Sequence, residues 1–176
     1  EAIEPLQRWI RDHSDLARRL ELPSDPLAQL PATVPASATT GHVLLIGYGR
    51  VGRRIGEALL AAERTVIVAE ENRDIVAELR GKGVHAVAGD ASEPDVIIQA
   101  HVARARILVI ATPDAARARR MIGLARQLNP RIKIIARTHG DEEAELLRRE
   151  GGGATVLMGE HELALSMLRH VEAAAG

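Results

Sequence analysis

The loop Gly47-Tyr48-Gly49-Arg50-Val51-Gly52 carries the clearest chemical signal in the sequence, because its glycines follow the pattern G-x-G-x-x-G. The first glycine permits a tight turn, and the second lets the backbone approach a phosphate without a Cβ in between. The third lets a helix pack closely on a sheet. Amide N–H groups in the first turn of that helix would bind the phosphate, helped by the helix dipole. The pattern therefore predicts a phosphate-binding loop.

Glu70 is the acid that such a loop requires, since it lies 18 residues after Gly52 at the end of the next apolar run. A carboxylate there accepts hydrogen bonds from the two ribose hydroxyls of an adenine nucleotide and repels a 2′-phosphate. Glu70 therefore favours NAD or AMP over NADP. Two alternatives stay open: Glu71 takes this role if the strand ends later, and Arg73 either serves a 2′-phosphate or is a solvated helix residue.

Two more loops are predicted at the same edge of the sheet, where open α/β folds bind their ligands. Asp90 and Ala91 follow the third apolar run and are expected to flank the adenine. Thr112 follows the fourth run and is expected to cap its helix beside the phosphate. Asp90 and Thr112 are equally well explained as a turn former and an N-cap.

These residues need a sheet to bring them together, and the sequence from Gly41 onward predicts one. Short aliphatic runs alternate with segments whose apolar residues are three and four apart, which indicates buried parallel strands joined by helices. We predict a Rossmann-like, doubly wound α/β fold with a six-stranded parallel sheet and helices on both faces. The predicted strands are 42–46, 65–69, 84–88, 106–111, 132–136 and 155–158, and a last helix at 160–172 has no strand after it.

Three segments divide the chain. Residues 1–40 are predicted to hold an amphipathic helix (1–21) and an extended linker rich in Pro, Ser and Thr. Residues 41–159 form the predicted nucleotide-binding domain, and residues 160–176 form a C-terminal helix. Because the chain starts at Glu1 rather than Met, we expect it to be a piece of something longer.

The amino-acid composition excludes several kinds of catalytic and metal-binding site. The chain has no Cys, a formal charge of -1, two lysines and a single Tyr, so thiol chemistry and a Tyr-Lys dehydrogenase pair are excluded. His161-Glu162 begins a zinc-binding H-E-x-x-H pattern, but Leu165 replaces the second His, so no metal site is predicted. The arginines between 117 and 126 are read as a solvated face rather than a nucleic-acid surface. We expect a protein that is not an enzyme.

The segments GHVLLIGYGRVGRRIG, VIVAEENR, AVAGDAS, LVIATPD and IIAR, in this order, resemble the Trk-type N-terminal, or RCK, domain. The likeness is strongest to the cytoplasmic tail of Kef-type cation/proton antiporters. It implies a regulatory domain that binds AMP or NAD(H) and dimerises with a second copy through its last, crossover helix. It also implies a membrane-embedded antiporter domain in the same polypeptide, and a place at the cytoplasmic face of the inner or plasma membrane.

By position, the resemblance assigns the phosphate to the backbone of residues 47–51, the ribose to Glu70, and the adenine surroundings to Arg73, Asp90 and Ala91. Arg137, at the end of the fifth strand, is assigned to a second phosphate or to a partner subunit. Two rival interpretations are a freestanding Trk-type regulator of potassium uptake and a small NAD-dependent oxidoreductase. The latter needs a proton donor near the nicotinamide.

Overall fold

Six aliphatic runs form one parallel sheet in the computed structural model, which describes residues 25–175. The order across the sheet is β3-β2-β1-β4-β5-β6, as expected for a doubly wound fold, and each predicted strand is present to within two residues at either end. The strands are β1 (Val43–Ile46), β2 (Val66–Glu70), β3 (His85–Ala88), β4 (Ile107–Ile110), β5 (Lys133–Thr138) and β6 (Thr155–Met158).

Each strand is followed by a helix, which confirms the predicted alternation. The helices are α1 (Arg50–Ala61), α2 (Arg73–Gly81), α3 (Pro94–Gln99), α4 (Ala115–Leu128), α5 (Asp141–Glu150) and α6 (Gly159–Ala175). Within residues 25–175, no helix combines the length and the apolar character that crossing a bilayer requires.

The core lies on both faces of the sheet because successive strand residues point to opposite sides. Leu44 belongs to a cluster that α3, α4 and α5 cover, with Met121 and Leu147 fully buried in it. Leu45 belongs to a second cluster on the other face, which α1 and α2 cover with residues such as Val76. This burial on both sides explains why the strands are aliphatic almost without interruption.

The pairing register brings the carboxyl ends of the strands to one edge. Ile46 of β1 lies opposite Ala69 of β2 on one side and Ile110 of β4 on the other. The strand order therefore reverses at β1: β2 and β3 follow on one side of it, and β4, β5 and β6 follow on the other. A crevice at this point is where open α/β sheets bind ligands.

Residues 25–40, the described part of the segment before the sheet, pack on the domain instead of standing free. The predicted amphipathic helix (1–21) lies outside the described residues. Residues 25–40, expected to be extended linker, form turns and a 3-10 helix at Ala36–Thr39. Leu27 packs against one core cluster and Leu30 against the other. The prolines do exclude an α-helix here, but they leave these two leucines free to dock.

Candidate functional site

A cleft of about 560 Å³ opens at the carboxyl edge of the sheet, at the point between β1 and β4 where the strand order reverses. Its walls come from the glycine-rich loop, from the start of α1, and from the ends of β2, β4 and β5. The lining residues are Gly47, Gly49, Arg50, Val51, Arg54, Glu70, Ala111, Thr112, Pro113, Arg137 and His139.

Each of the three glycines of the loop suits its position for a different structural reason. Gly47 has φ +84°, a left-handed conformation that glycine adopts at no steric cost. A Cβ on Gly52 would lie 1.9 Å from the carbonyl oxygen of Gly47, so any side chain there would push α1 away from the loop. A Cβ on Gly49 would meet no protein atom within 4 Å. Gly49 therefore leaves open space on the cleft side of the loop, as a phosphate approaching the backbone requires.

The amino end of α1 faces the cleft without a capping side chain. Gly49 is the N-cap residue, and the first turn contains no acidic residue. Arg50 and Arg54, one turn apart, both line the cleft. Free amide N–H groups, the positive end of the helix dipole and two guanidinium groups thus lie at one place. This arrangement is suited to an anion.

The Glu70 carboxylate is fixed beside the glycine-rich loop by two backbone amides. Its Oε2 accepts a hydrogen bond from the Tyr48 N–H at 2.6 Å, and its Oε1 accepts one from the Asn72 N–H at 2.9 Å. Each carboxylate oxygen has a second lone pair, so both remain able to accept a hydroxyl. The glycine-rich loop and the predicted ribose acid are therefore in direct contact.

The structure brings together six of the eleven predicted site residues in this cleft: Gly47, Gly49, Arg50, Val51, Glu70 and Thr112. Gly52 lies behind the loop. The Tyr48 side chain is buried in the core against Gly56, and its amide is used by Glu70, so neither faces the cleft.

Arg73, Asp90 and Ala91 lie outside the residues that line the cleft. The guanidinium of Arg73 pairs with the carboxylate of Asp25 in the docked N-terminal segment, with Nη2 to Oδ1 at 2.8 Å. Asp90 accepts a hydrogen bond from the Ser92 N–H at 2.8 Å. Burial alone would raise the pKa of Asp90, but hydrogen bonding with Ser92 and the charges of nearby arginines lower it. Asp90 is thus the predicted turn former, whichever other role it has.

Thr112 has a different place from the one predicted. It was expected to cap α4, but that helix begins at Ala115 and its N-cap is Asp114, whose carboxylate accepts from the Arg117 N–H at 3.0 Å. The reason is that the chain makes two more residues of turn after β4 before the helix starts. Thr112 Oγ1 is buried in the cleft wall and has no hydrogen-bond partner among the described residues. A buried hydroxyl of this kind suits a polar ligand atom.

Sequence reasoning missed two residues of the cleft, Arg54 and His139; Arg137, which the resemblance assigned to a second phosphate or to a partner subunit, also lines it. Arg54 lies four residues after Arg50 and therefore on the same face of α1, a spacing that could have revealed it. His139 directly follows β5, and residues after a parallel strand gather at this edge.

Within residues 25–175, no cluster of side chains suited to a metal ion is present.

A second cleft, about 600 Å³, shares the wall formed by Arg54, Arg137 and His139. It is mostly apolar, and the start of α6 forms one side of it. None of the described residues of α6 is buried. Five large apolar side chains of this helix are exposed: Leu163, Leu165, Met167, Leu168 and Val171.

Residues 43–158 match the model of the TrkA-N domain family. The chain is 43% identical over 131 residues to the "Putative cation/proton antiporter YbaL" of Escherichia coli K12; the match covers 74% of this chain and 23% of that relative. The chain thus spans less than a quarter of that relative's length. The crystal structure of the TrkA-N domain of that protein superimposes with a TM-score of 0.71 at 42% identity, covering 74% of this chain and 96% of the other.

Two nucleotide-bound structures are also similar. GsuK bound to ADP has a TM-score of 0.62 at 25% identity, covering 81% of this chain and 37% of that one. The Kef C-terminal domain of Shewanella denitrificans in its AMP-bound form has a TM-score of 0.63 at 24% identity, covering 77% and 81%, a likeness of fold alone. The predicted resemblance and the Rossmann-like fold are confirmed.

Proposed function

The chain belongs to the TrkA-N domain family, and from this premise we propose that it is a regulatory domain that binds AMP or NAD(H) and controls a cation/proton antiporter. One observation carries the proposal: the glycine-rich loop and Glu70 meet in a cleft at the point where the strand order reverses. The family supplies the regulatory context, and the cleft supplies the chemistry that recognises the ligand.

The phosphate of the nucleotide would lie at the amino end of α1. The open space at Gly49 admits it, and the N–H groups of Arg50 and Val51 are free to donate in the first turn. The guanidinium groups of Arg50 and Arg54 add positive charge there. Hydrogen bonds with an ionised donor or acceptor are about twice as strong as neutral ones, so this end would contribute strongly to the affinity.

The two ribose hydroxyls would donate hydrogen bonds to the Glu70 oxygens, which backbone amides already hold in place. A 2′-phosphate would meet the same carboxylate and be repelled, which favours AMP and NAD over NADP. Thr112 Oγ1 supplies one more polar group in the wall of the cleft. Arg73, Asp90 and Ala91 remain proposed contributors to the adenine surroundings, whereas Tyr48 acts through its N–H, which holds the Glu70 carboxylate.

A regulatory role is proposed in preference to a catalytic one. The family and the antiporter relative support it. The rival oxidoreductase needs a proton donor beside a nicotinamide, and His139 is the side chain in the cleft with that chemistry. Incubating the protein with NADH and candidate carbonyl acceptors tests this rival, since any turnover removes the regulatory interpretation.

Dimerisation and attachment to a membrane antiporter are proposed as the route by which the ligand acts. Leu163, one of the exposed apolar side chains of α6, lines the second cleft, which shares Arg54, Arg137 and His139 with the first. A second copy seated there would sense the ligand through this common wall. Regulation then requires different nucleotide affinity in two arrangements of the dimer, at the cytoplasmic face of the membrane.

Calorimetric titration with AMP, NAD, NADH and NADP tests the proposed ligand. We expect AMP or NAD to bind more tightly than NADP. Glu70→Gln should weaken AMP binding by about 1–3 kcal/mol, the free energy of hydrogen bonds to a charged group.

Glu71→Gln is the matched control, because Glu71 pairs with Arg117 and does not line the cleft. Tightest binding of NADP, or a larger loss in Glu71→Gln than in Glu70→Gln, would contradict the ribose assignment. Failure of all four nucleotides to bind would contradict the proposed function itself.

A further inference from the structure

Residues 25–30, which we call the N-terminal strap, are held on the domain by one arginine of α2. The Arg80 guanidinium donates from Nη1 to the Pro26 carbonyl at 2.8 Å and from Nη2 to the carbonyls of Leu27 and Gln29 at 3.1 and 2.6 Å. Its Nε donates to the Ala86 carbonyl of β3 at 2.8 Å. A single side chain thus ties the strap to both α2 and β3.

Two further contacts fix the strap. The Ala88 N–H, on the outer side of the edge strand β3, donates to the Leu27 carbonyl at 2.7 Å. The Asp25 carboxylate pairs with the Arg73 guanidinium, and its Oδ1 also accepts from the Leu27 N–H at 3.0 Å. This pairing and hydrogen bonding lower the pKa of Asp25 to about 2, so the carboxylate is charged at neutral pH.

The far end of this ion pair adjoins the nucleotide cleft. Arg73 is the first residue of α2, and the residue before it, Asn72, is the N-cap, whose side chain accepts from the first-turn amides. The Asn72 N–H donates to Glu70 Oε1 at 2.9 Å. From Asp25 to Glu70 the connection therefore runs through two successive residues at the start of α2.

We propose that Asp25 is a positioning residue for nucleotide binding: by holding Arg73, the docked strap fixes the start of α2 and so orients the Glu70 carboxylate toward the ribose. The inference rests on the proposed function, which makes Glu70 the ribose acceptor. It assigns Arg73 to the strap rather than to a ligand phosphate. Because coupling between two events is reciprocal, nucleotide binding must in turn stabilise the docked strap.

Two measurements on the 176-residue chain test the proposal, with AMP as the probe. Asp25→Asn should weaken AMP binding about two- to fivefold, the range for an exposed ion pair, and Asp25→Glu should restore part of the loss. Glu78→Gln is the matched control, because it breaks an exposed ion pair with Lys82 at the other end of α2. Its AMP affinity should equal that of the unaltered protein.

Hydrogen exchange at the Ala88 amide reports docking of the strap directly, since that amide donates to Leu27. Saturating AMP should slow its exchange in the unaltered protein about two- to fivefold, and less in Asp25→Asn. Equal AMP affinity in Asp25→Asn and Glu78→Gln, or unchanged Ala88 exchange on adding AMP, overturns the proposal while the proposed function stands. Absence of AMP binding to the unaltered protein overturns both.

Discussion

Gly49→Ala adds one methyl group at the amino end of α1, where the protein itself leaves room for it. The new Cβ meets no atom within 4 Å, and Gly49 has φ −71°, which alanine adopts without strain. Alanine has less conformational freedom than glycine in the unfolded chain, and this difference stabilises the folded variant by about 0.4–1 kcal/mol. The poorer N-cap costs part of this gain. The free energy of unfolding should therefore change by less than about 1 kcal/mol.

Nucleotide binding should respond very differently, because the methyl group fills the space through which a phosphate reaches the backbone. Loss of one hydrogen bond to a charged group costs about 1.5–3 kcal/mol. This corresponds to AMP binding weakened by roughly 10- to 150-fold. Calorimetric titration with AMP, alongside thermal unfolding of the same preparation, measures the two effects separately.

Gly52→Ala is the companion variant with the opposite expectation for folding. Its Cβ would lie 1.9 Å from the Gly47 carbonyl oxygen, so the loop or α1 must move. Overpacking of this kind costs about 1–3 kcal/mol of stability. Unaltered AMP affinity in Gly49→Ala would contradict the placement of the phosphate at the amino end of α1.

Two other predictions concern stability and assembly. His42 is fully buried, and desolvation lowers its pKa below 6.5. The buried neutral imidazole therefore contributes its full stability above pH 6.5, and this contribution is lost as the pH falls from 6.5 through the pKa of the folded protein. The urea midpoint should fall over this range, and less so in His42→Gln; an equal fall in both would assign the effect to other groups, such as His101, whose pKa is also lowered. Leu163→Glu places a charge on the exposed apolar side of α6 and should convert a dimer to a monomer in sedimentation experiments, whereas a monomeric parent protein would contradict the proposed interface.

The fold could be predicted because its signals are local and repeated. Aliphatic runs such as 43–46 and 107–110 are buried on both faces, so their composition alone marks them as strands of a parallel sheet. Gly47 and Gly52 are required by backbone geometry that the G-x-G-x-x-G spacing already encodes. The edge at which the cleft lies then follows from parallel pairing.

The residues that the sequence placed less well depend on contacts between distant segments. For Arg73 the sequence left open a role at the nucleotide or a solvated place on the helix, and it did not indicate the ion pair with Asp25, 48 positions earlier. Nothing in the spacing of Pro and Ser residues indicated that Leu27 would dock on the core. Thr112 was predicted to be the N-cap of α4, but the N-cap is Asp114, two residues later. Both residue types are favoured at N-caps, so their preferences do not distinguish the two positions.

An adenine nucleotide is proposed to bind between the glycine-rich loop and Glu70. Backbone amide shifts recorded by NMR during titration with AMP test it most directly. The largest shifts are expected at Arg50 and Val51 in the first turn of α1, and at Asn72, whose N–H donates to Glu70. Saturable shifts confined to α5 or α6, or no shifts at millimolar AMP, would contradict it.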